Sequence, residues 1–192
     1  MASGFVTLPD AVFFRPAQQE DLASITALEL ASYPADEAAT PEKLAYRMHN
    51  AGDFFMVAVK QEAAAYPSEP DGDDSAAATH SDTIVGFVCG TCTSSERYSH
   101  ACMSHHEPEG ARLCIHSVVV REDLRRRGLA QRMLRAYFMF MQGTAEHVIH
   151  VHLVSKALLV PLYEKSGLTV VGPAQLEHGA DSWIELALEF GQ

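Results

Sequence analysis

The sequence lacks any apolar run near the roughly 18 residues that cross a bilayer, and Met1-Ala2-Ser3-Gly4-Phe5 carries neither the cationic start nor the apolar stretch of a secretory leader. These absences argue for a cytoplasmic protein with no membrane partner. Cations are scarce as well, with 14 Lys and Arg against 25 Asp and Glu and a formal net charge of -11. Such a surface repels polyanions, which excludes a protein whose whole face binds nucleic acid. Cysteine is limited to Cys89, Cys92, Cys102 and Cys114. The pair Cys89-x-x-Cys92 sits in the strand-like run Ile84 to Cys92, where residues three apart face opposite ways about 10 Å from each other, beyond the roughly 7 Å that a disulfide tolerates. Reduced core thiols are expected. Nearby, His100, Cys102, His105 and His106 match no closed set of four zinc ligands, so no metal is expected.

What is present is a chain of 192 residues, 47% apolar, enough for one domain with a full core. Val12 to Arg15 reads as a strand ending at Pro16, and Gln19-Glu20-Asp21 loads the start of a helix with acid. Leu22, Ile25, Leu28 and Glu29 continue that helix to Tyr33-Pro34. Thr40 as N-cap and Pro41 in the first helical position start a second one. Strands are expected at 54–60, 83–91, 113–120, 147–154, 168–171 and 182–190. Leu129, Met133, Leu134, Tyr137, Phe138 and Met141 form the apolar face of a helix, and Leu158 to Ser166 forms a shorter helix. The order β-α-α-β-β-β-α-β-α-β-β implies an α/β fold, one mixed sheet in a single domain with its core at about 12–190. An acidic segment at 62–82 and a polar, histidine-bearing one at 94–110 read as loop insertions.

Cationic charge is concentrated in one place. Six of the 14 cations (Arg121, Arg125, Arg126, Arg127, Arg132, Arg135) fall within 121–135, and with Glu122 and Asp123 that segment carries +4, leaving -15 elsewhere. Within it, Arg125-Arg126-Arg127-Gly128-Leu129-Ala130 joins an apolar strand to an amphipathic helix. Small residues at 128 and 130 let the backbone approach a ligand closely, and the free N–H groups of the helix start favour an anion. Flanking arginines add charge-assisted hydrogen bonds to phosphate. A pyrophosphate-bearing cofactor fits there.

This stretch resembles the acetyl-CoA motif of the GNAT N-acetyltransferase superfamily: Arg or Gln, two residues of any kind, Gly, any residue, then Gly or Ala. Further segments, Phe14-Arg15-Pro16 with Glu20-Asp21, Leu113 to Val120, and Ala157 to Leu168, are similar to the serotonin (arylalkylamine) N-acetyltransferase branch. Ala31 to Ala39 resembles fungal and protist relatives, some of which acetylate polyamines. The resemblance implies a GNAT fold with a mostly antiparallel sheet, and acetyl-CoA as cosubstrate. Val118, Val119 and Val120 would hold the pantetheine arm through strand backbone, a strand N–H would polarise the acetyl carbonyl, and Arg126, Arg127, Gly128, Leu129, Ala130 and Gln131 would hold the pyrophosphate.

The substrate implied is a small primary amine, an arylalkylamine such as serotonin or tryptamine, or a diamine or polyamine. Such an amine is an ammonium ion at neutral pH, so a base must remove its proton before attack on the thioester. The resemblance implies His116 as that base, with Cys114 where the branch carries a first histidine, and Tyr163 as the acid for the departing thiolate. Cys114 and His116, two apart on a strand, are expected on one face, in register with Val118 and Val120. Tyr33, Pro34 and Trp183 fall where the amine pocket is expected, and His150 and His152 share a strand face as spare candidates for the base. Direct transfer in a ternary complex follows, by a monomer or weak homodimer. The rival readings are protein N-terminal or lysine acetylation, a non-catalytic acetyl-CoA-binding regulatory module, and nucleic-acid binding through the arginines.

Overall fold

Seven strands form one sheet in the order β1-β2-β3-β4-β5-β7-β6. The structure is a computed structural model that describes residues 12–61, 82–96, 98–175 and 182–191. The strands are β1 Val12–Pro16, β2 Phe55–Gln61, β3 Asp82–Thr93, β4 Arg112–Val120, β5 His150–Ser155, β6 Thr169–Pro173 and β7 Ile184–Glu189. The helices are α1 Leu22–Ser32, α2 Pro41–Asn50, α3 His100–Ser104, α4 Leu129–Thr144 and α5 Val160–Lys165. All strand neighbours are antiparallel except β4 and β5. The expected element order is observed, and α3 is an addition to it. The acidic insertion lies outside the described residues apart from Asp82.

Local chemistry accounts for the helix boundaries. The Thr40 hydroxyl accepts from the Lys43 N–H at 3.3 Å, with Pro41 at the first helical position. Ahead of α1, the buried Asp21 carboxylate receives the Arg15 guanidinium at 2.6 and 3.0 Å and the Gln18 N–H at 2.8 Å. Burial opposes its charge, but these donors outweigh burial and hold its pKa down. The acid of the first turn thus ties α1 to β1.

The middle of the sheet is covered on both sides. Along β2, Met56 and Ala58 join the cluster beneath α4, while Phe55, Val57 and Val59 join the one beneath α1 and α2. That arrangement explains an unbroken apolar run where a half-buried strand would alternate. Cys89 and Cys92 fall in different clusters, on opposite faces. All six apolar residues expected on α4 are buried.

The 94–110 segment differs from the polar loop expected. Tyr98 and Cys102 are buried with Cys114 in a third small cluster, because Thr91 and Arg47 both grip the main chain of α3. The Thr91 hydroxyl donates to the Cys102 carbonyl at 2.5 Å, and Arg47 donates to the Met103 carbonyl at 3.0 and 3.3 Å. His106 accepts the Cys92 N–H on Nδ1 at 3.0 Å. No group of three or more metal-ligating side chains occurs among the described residues.

Candidate active site

Strand β4 pairs with β5 only over Arg112–Cys114 and His150–His152. Beyond that point the two parallel strands part, and the cleft opens between them. The cause lies within β4. Ser117 sits opposite Cys89 and Ile115 opposite Gly90, so His116 is an extra residue with no partner, a β-bulge. A Cβ on Gly90 would meet the Cys114 carbonyl at 2.7 Å, so glycine is what permits this close approach.

The bulge changes the phase of the strand. Leu113 and Ile115 pack beneath α4, as do Val118 and Val120, whereas Val119 packs beneath α1 and Ser117 reaches Glu29 on α1. The expected register of His116 with Val118 and Val120 is therefore broken, because alternation restarts at the extra residue. Cys114 and His116 both lie near Tyr98. Only His116 lines the cleft, while Cys114 is fully buried against Cys102, and that contact followed by burial pushes its thiol pKa up.

Two cavities fill the cleft. The outer one, about 490 Å³, runs from Val118, Val119 and Val120 to the start of α4, over Arg126, Gly128, Leu129, Ala130 and Gln131. Gly128 caps α4 in a left-handed conformation (φ 76°), and no side chain caps the helix. The first bond at this end is from the Arg132 N–H to the Gly128 carbonyl at 3.1 Å. The N–H groups of Leu129, Ala130 and Gln131 thus have no helical acceptor and face an open cavity.

The arginine island is divided by this geometry. Arg121 pairs with Asp123 at 2.7 Å, Arg125 donates to the Val120 carbonyl and Ser32 hydroxyl, Arg132 lies over the Phe14 ring, and Arg135 donates to the Lys165 carbonyl. Arg126 and Arg127 have no hydrogen bond or ion pair among the described residues. Arg126, at φ 59°, lines the outer cavity; Arg127 is exposed and does not. Successive side chains of a tight turn diverge, so the two expected phosphate contacts are not equivalent.

The inner cavity, about 200 Å³, lies on the other side of a wall that contains Tyr33, Val118 and Tyr163, which line both spaces. His116, Pro34 and Trp183 also line it, together with Glu29, Glu37, Tyr98 and Lys156. Glu29 accepts the Ala39 N–H at 2.9 Å and the Ser117 hydroxyl at 3.1 Å on Oε1. Glu37 receives Lys156 Nζ at 2.7 Å on Oε1, and that ammonium also lies 5.6 Å from the Trp183 ring centroid. The second oxygens of both carboxylates are buried with no partner among the described residues. Burial pushes the Glu29 carboxyl pKa up, and its two donors only partly oppose this.

Burial drives the His116 imidazole well below its ordinary range, reinforced by the Arg47 guanidinium. Tyr163 is 6% exposed, and burial raises its phenol to about 12. The Tyr33 hydroxyl accepts the Val118 N–H at 3.4 Å. His152, considered as a spare base, instead contacts Glu185 at 2.9 Å and lines neither cavity, nor does His150. Glu29, Glu37, Lys156 and Tyr98 were not anticipated as lining residues. For Glu29 a signal existed, since it lies one turn after Ile25 on the buried stripe of α1, an unusual place for a carboxylate.

Residues 23–168 match the acetyltransferase (GNAT) family. The chain is 29% identical over 103 residues to serotonin N-acetyltransferase of Mesocricetus auratus, a match that covers 54% of this chain and 49% of that protein. It spans about half the length of the curated relatives it matches. Among solved structures, the loading GNATL domain of CurA from Lyngbya majuscula superimposes with a TM-score of 0.72 at 12% identity, over 94% of this chain and 98% of that one. The NatC complex bound to Gag peptide and CoA superimposes with a TM-score of 0.66 at 16% identity, over 94% and 99%.

Proposed function

The chain belongs to the GNAT acetyltransferase family, and we propose that it transfers acetyl from acetyl-CoA to a small primary amine, by direct transfer in a ternary complex. The observation that carries this is the pair of cavities sharing Tyr33, Val118 and Tyr163. An anion-favouring helix start serves one, and buried carboxylates with aromatic rings serve the other. A carrier in the outer space and an amine in the inner one meet at that wall.

The residues fit the cosubstrate. Gly128, Leu129, Ala130 and Gln131 would hold its pyrophosphate through uncapped N–H groups, with Arg126 adding charge, and the backbone of Val118 to Val120 would hold its pantetheine arm. When bound it supplies the acetyl group as a thioester. Arg127 is left out of this set because it faces solvent. Gly128→Ala forces a Cβ into the left-handed region, a strain of about 1–2 kcal/mol with no clash to add to it. Relaxing that strain moves the N–H groups, so acetyl-CoA binding weakens roughly tenfold, as a thermal-shift titration would show.

In the inner cavity, Glu29 favours a cation, Glu37 is already matched by Lys156, and Tyr33, Pro34 and Trp183 suit either an aryl ring or an alkyl ammonium. Arylalkylamines such as serotonin and tryptamine, and diamines and polyamines, are the proposed substrates. His116, kept neutral by burial, receives the ammonium proton through water, and Tyr163, kept protonated by burial, donates to the departing sulfur. Four buried free thiols support a reducing, cytoplasmic setting. Four of the six arginines are committed to protein partners, which speaks against a nucleic-acid partner. A monomer or weak homodimer is proposed.

The test is release of coenzyme A thiol from acetyl-CoA with serotonin, tryptamine, phenylethylamine, putrescine and spermidine, run beside peptides with free N-termini or lysines. At least one small amine is expected to exceed every peptide in kcat/KM. Turnover with peptides alone would move the assignment to protein acetylation; binding without turnover would make the chain a regulatory module.

A further inference from the structure

A hydroxyl that has already given its hydrogen can only accept. The Thr91 side chain lies 2.5 Å from the Cys102 main-chain oxygen, and a carbonyl cannot donate, so the hydrogen of Thr91 points there. The same Oγ1 lies 2.7 Å from Nε2 of His116. The hydrogen in that second contact must therefore come from the imidazole, which fixes Nε2 as the protonated nitrogen. On the other side of the ring, Nδ1 lies 3.4 Å from the Tyr98 hydroxyl, whose hydrogen is already aimed at the Ile115 carbonyl at 3.1 Å. Nδ1 thus receives no hydrogen, and its lone pair faces the hydroxyl of Tyr98, which with His116 lines the inner cavity.

We propose that Thr91 is a positioning residue, which with the Cys102 carbonyl locks His116 in the Nε2–H tautomer and leaves Nδ1 as its only basic nitrogen. The inference rests on the reading of His116 as the base and deepens it. The amine proton reaches the ring at Nδ1, from the Tyr98 side, and never at Nε2. This also assigns α3 a function. By supplying the Cys102 carbonyl, it orients a hydroxyl that in turn orients the imidazole. Thr91 is fully buried and touches neither cavity, so it acts only through His116.

The test is a long-range ¹H–¹⁵N spectrum of His116 in the folded protein, read together with kinetics. In the native chain the Nε2–H tautomer is expected. Thr91→Val keeps shape and volume but lacks the acceptor; it is expected to populate the Nδ1–H form and lower kcat about tenfold, roughly one hydrogen bond converted to rate, with the amine KM unchanged. Thr91→Ser is expected to restore both tautomer and kcat. An Nδ1–H signal in the native chain, or a Val variant with native tautomer or native kcat, overturns the proposal. The spectrum reads the ring whether or not the protein turns over. A fully active His116→Ala variant would instead remove the base reading while leaving the measured tautomer intact.

Discussion

Tyr163→Phe is expected to lower kcat about a hundredfold, the lower end of what a positioned acid contributes, with little change in the KM of either substrate. Tyr163 is buried in a wall common to both cavities, and burial raises its phenol to about 12. It stays protonated across the working pH range, so the alkaline limb of the rate profile does not belong to it. In the proposed mechanism its proton is offered to a thiolate, whose conjugate thiol titrates near 8.5 when unperturbed, so full transfer is uphill. Most of the benefit therefore comes from a hydrogen bond that strengthens as charge develops on sulfur, an interaction absent from the ground state, and for that reason kcat falls while KM does not. Phenylalanine fills the same space, so the fold is retained and far-UV circular dichroism should be unchanged. Steady-state release of coenzyme A thiol measures the effect; a kcat within a factor of about two of the native value would reduce Tyr163 to a packing residue.

For His116→Ala the expected loss in kcat/KM is about a hundredfold or more at neutral pH. The sign of its pH dependence follows from burial. The imidazole is driven well below its ordinary range, and the Arg47 charge acts the same way, so the ring is neutral and able to accept a proton at pH 7 and for some distance below it. The native acidic limb should accordingly lie on the acid side of the ordinary imidazole value, and it should vanish in the alanine variant, whose residual rate rises with the fraction of free amine. An acidic limb that persists unchanged would take His116 out of the proton path. Glu29, whose carboxyl is pushed up by burial, would then be the group to examine.

Much of the fold was legible because it depends on local pattern. Thr40-Pro41 starts a helix, Tyr33-Pro34 ends one, and the 3.6-residue stripe from Leu129 to Met141 finds the core. The 94–110 segment was misread because its composition is polar, while its packing depends on three residues, Tyr98, Cys102 and Cys114, that become neighbours only in the folded chain. The outer cavity was largely legible, since a strand, a tight turn and a helix start lie within a few consecutive residues. The inner cavity was less so. Tyr33, Pro34, His116, Tyr163 and Trp183 were placed there by resemblance, but Glu37 and Lys156 meet across 119 positions of sequence and form no motif.

One glycine held information that the pattern alone did not release. Gly90 in the middle of β3 marks a close approach, and its partner across the ladder is where His116 bulges out. Period-two alternation has no way to register an extra residue within the strand, so it aligned His116 with Val118 and Val120.

By itself the sequence determined the order of the strands and of every helix but α3, and the anion-favouring turn at Gly128, because each follows from the pattern of residues near one another in the chain. Which arginines remain available for a ligand, which nitrogen of His116 carries its hydrogen, and which carboxylates line the inner cavity were decided only by tertiary structure. All three depend on hydrogen bonds and burial between elements far apart in the chain, where charge and protonation are set by the neighbours the fold supplies.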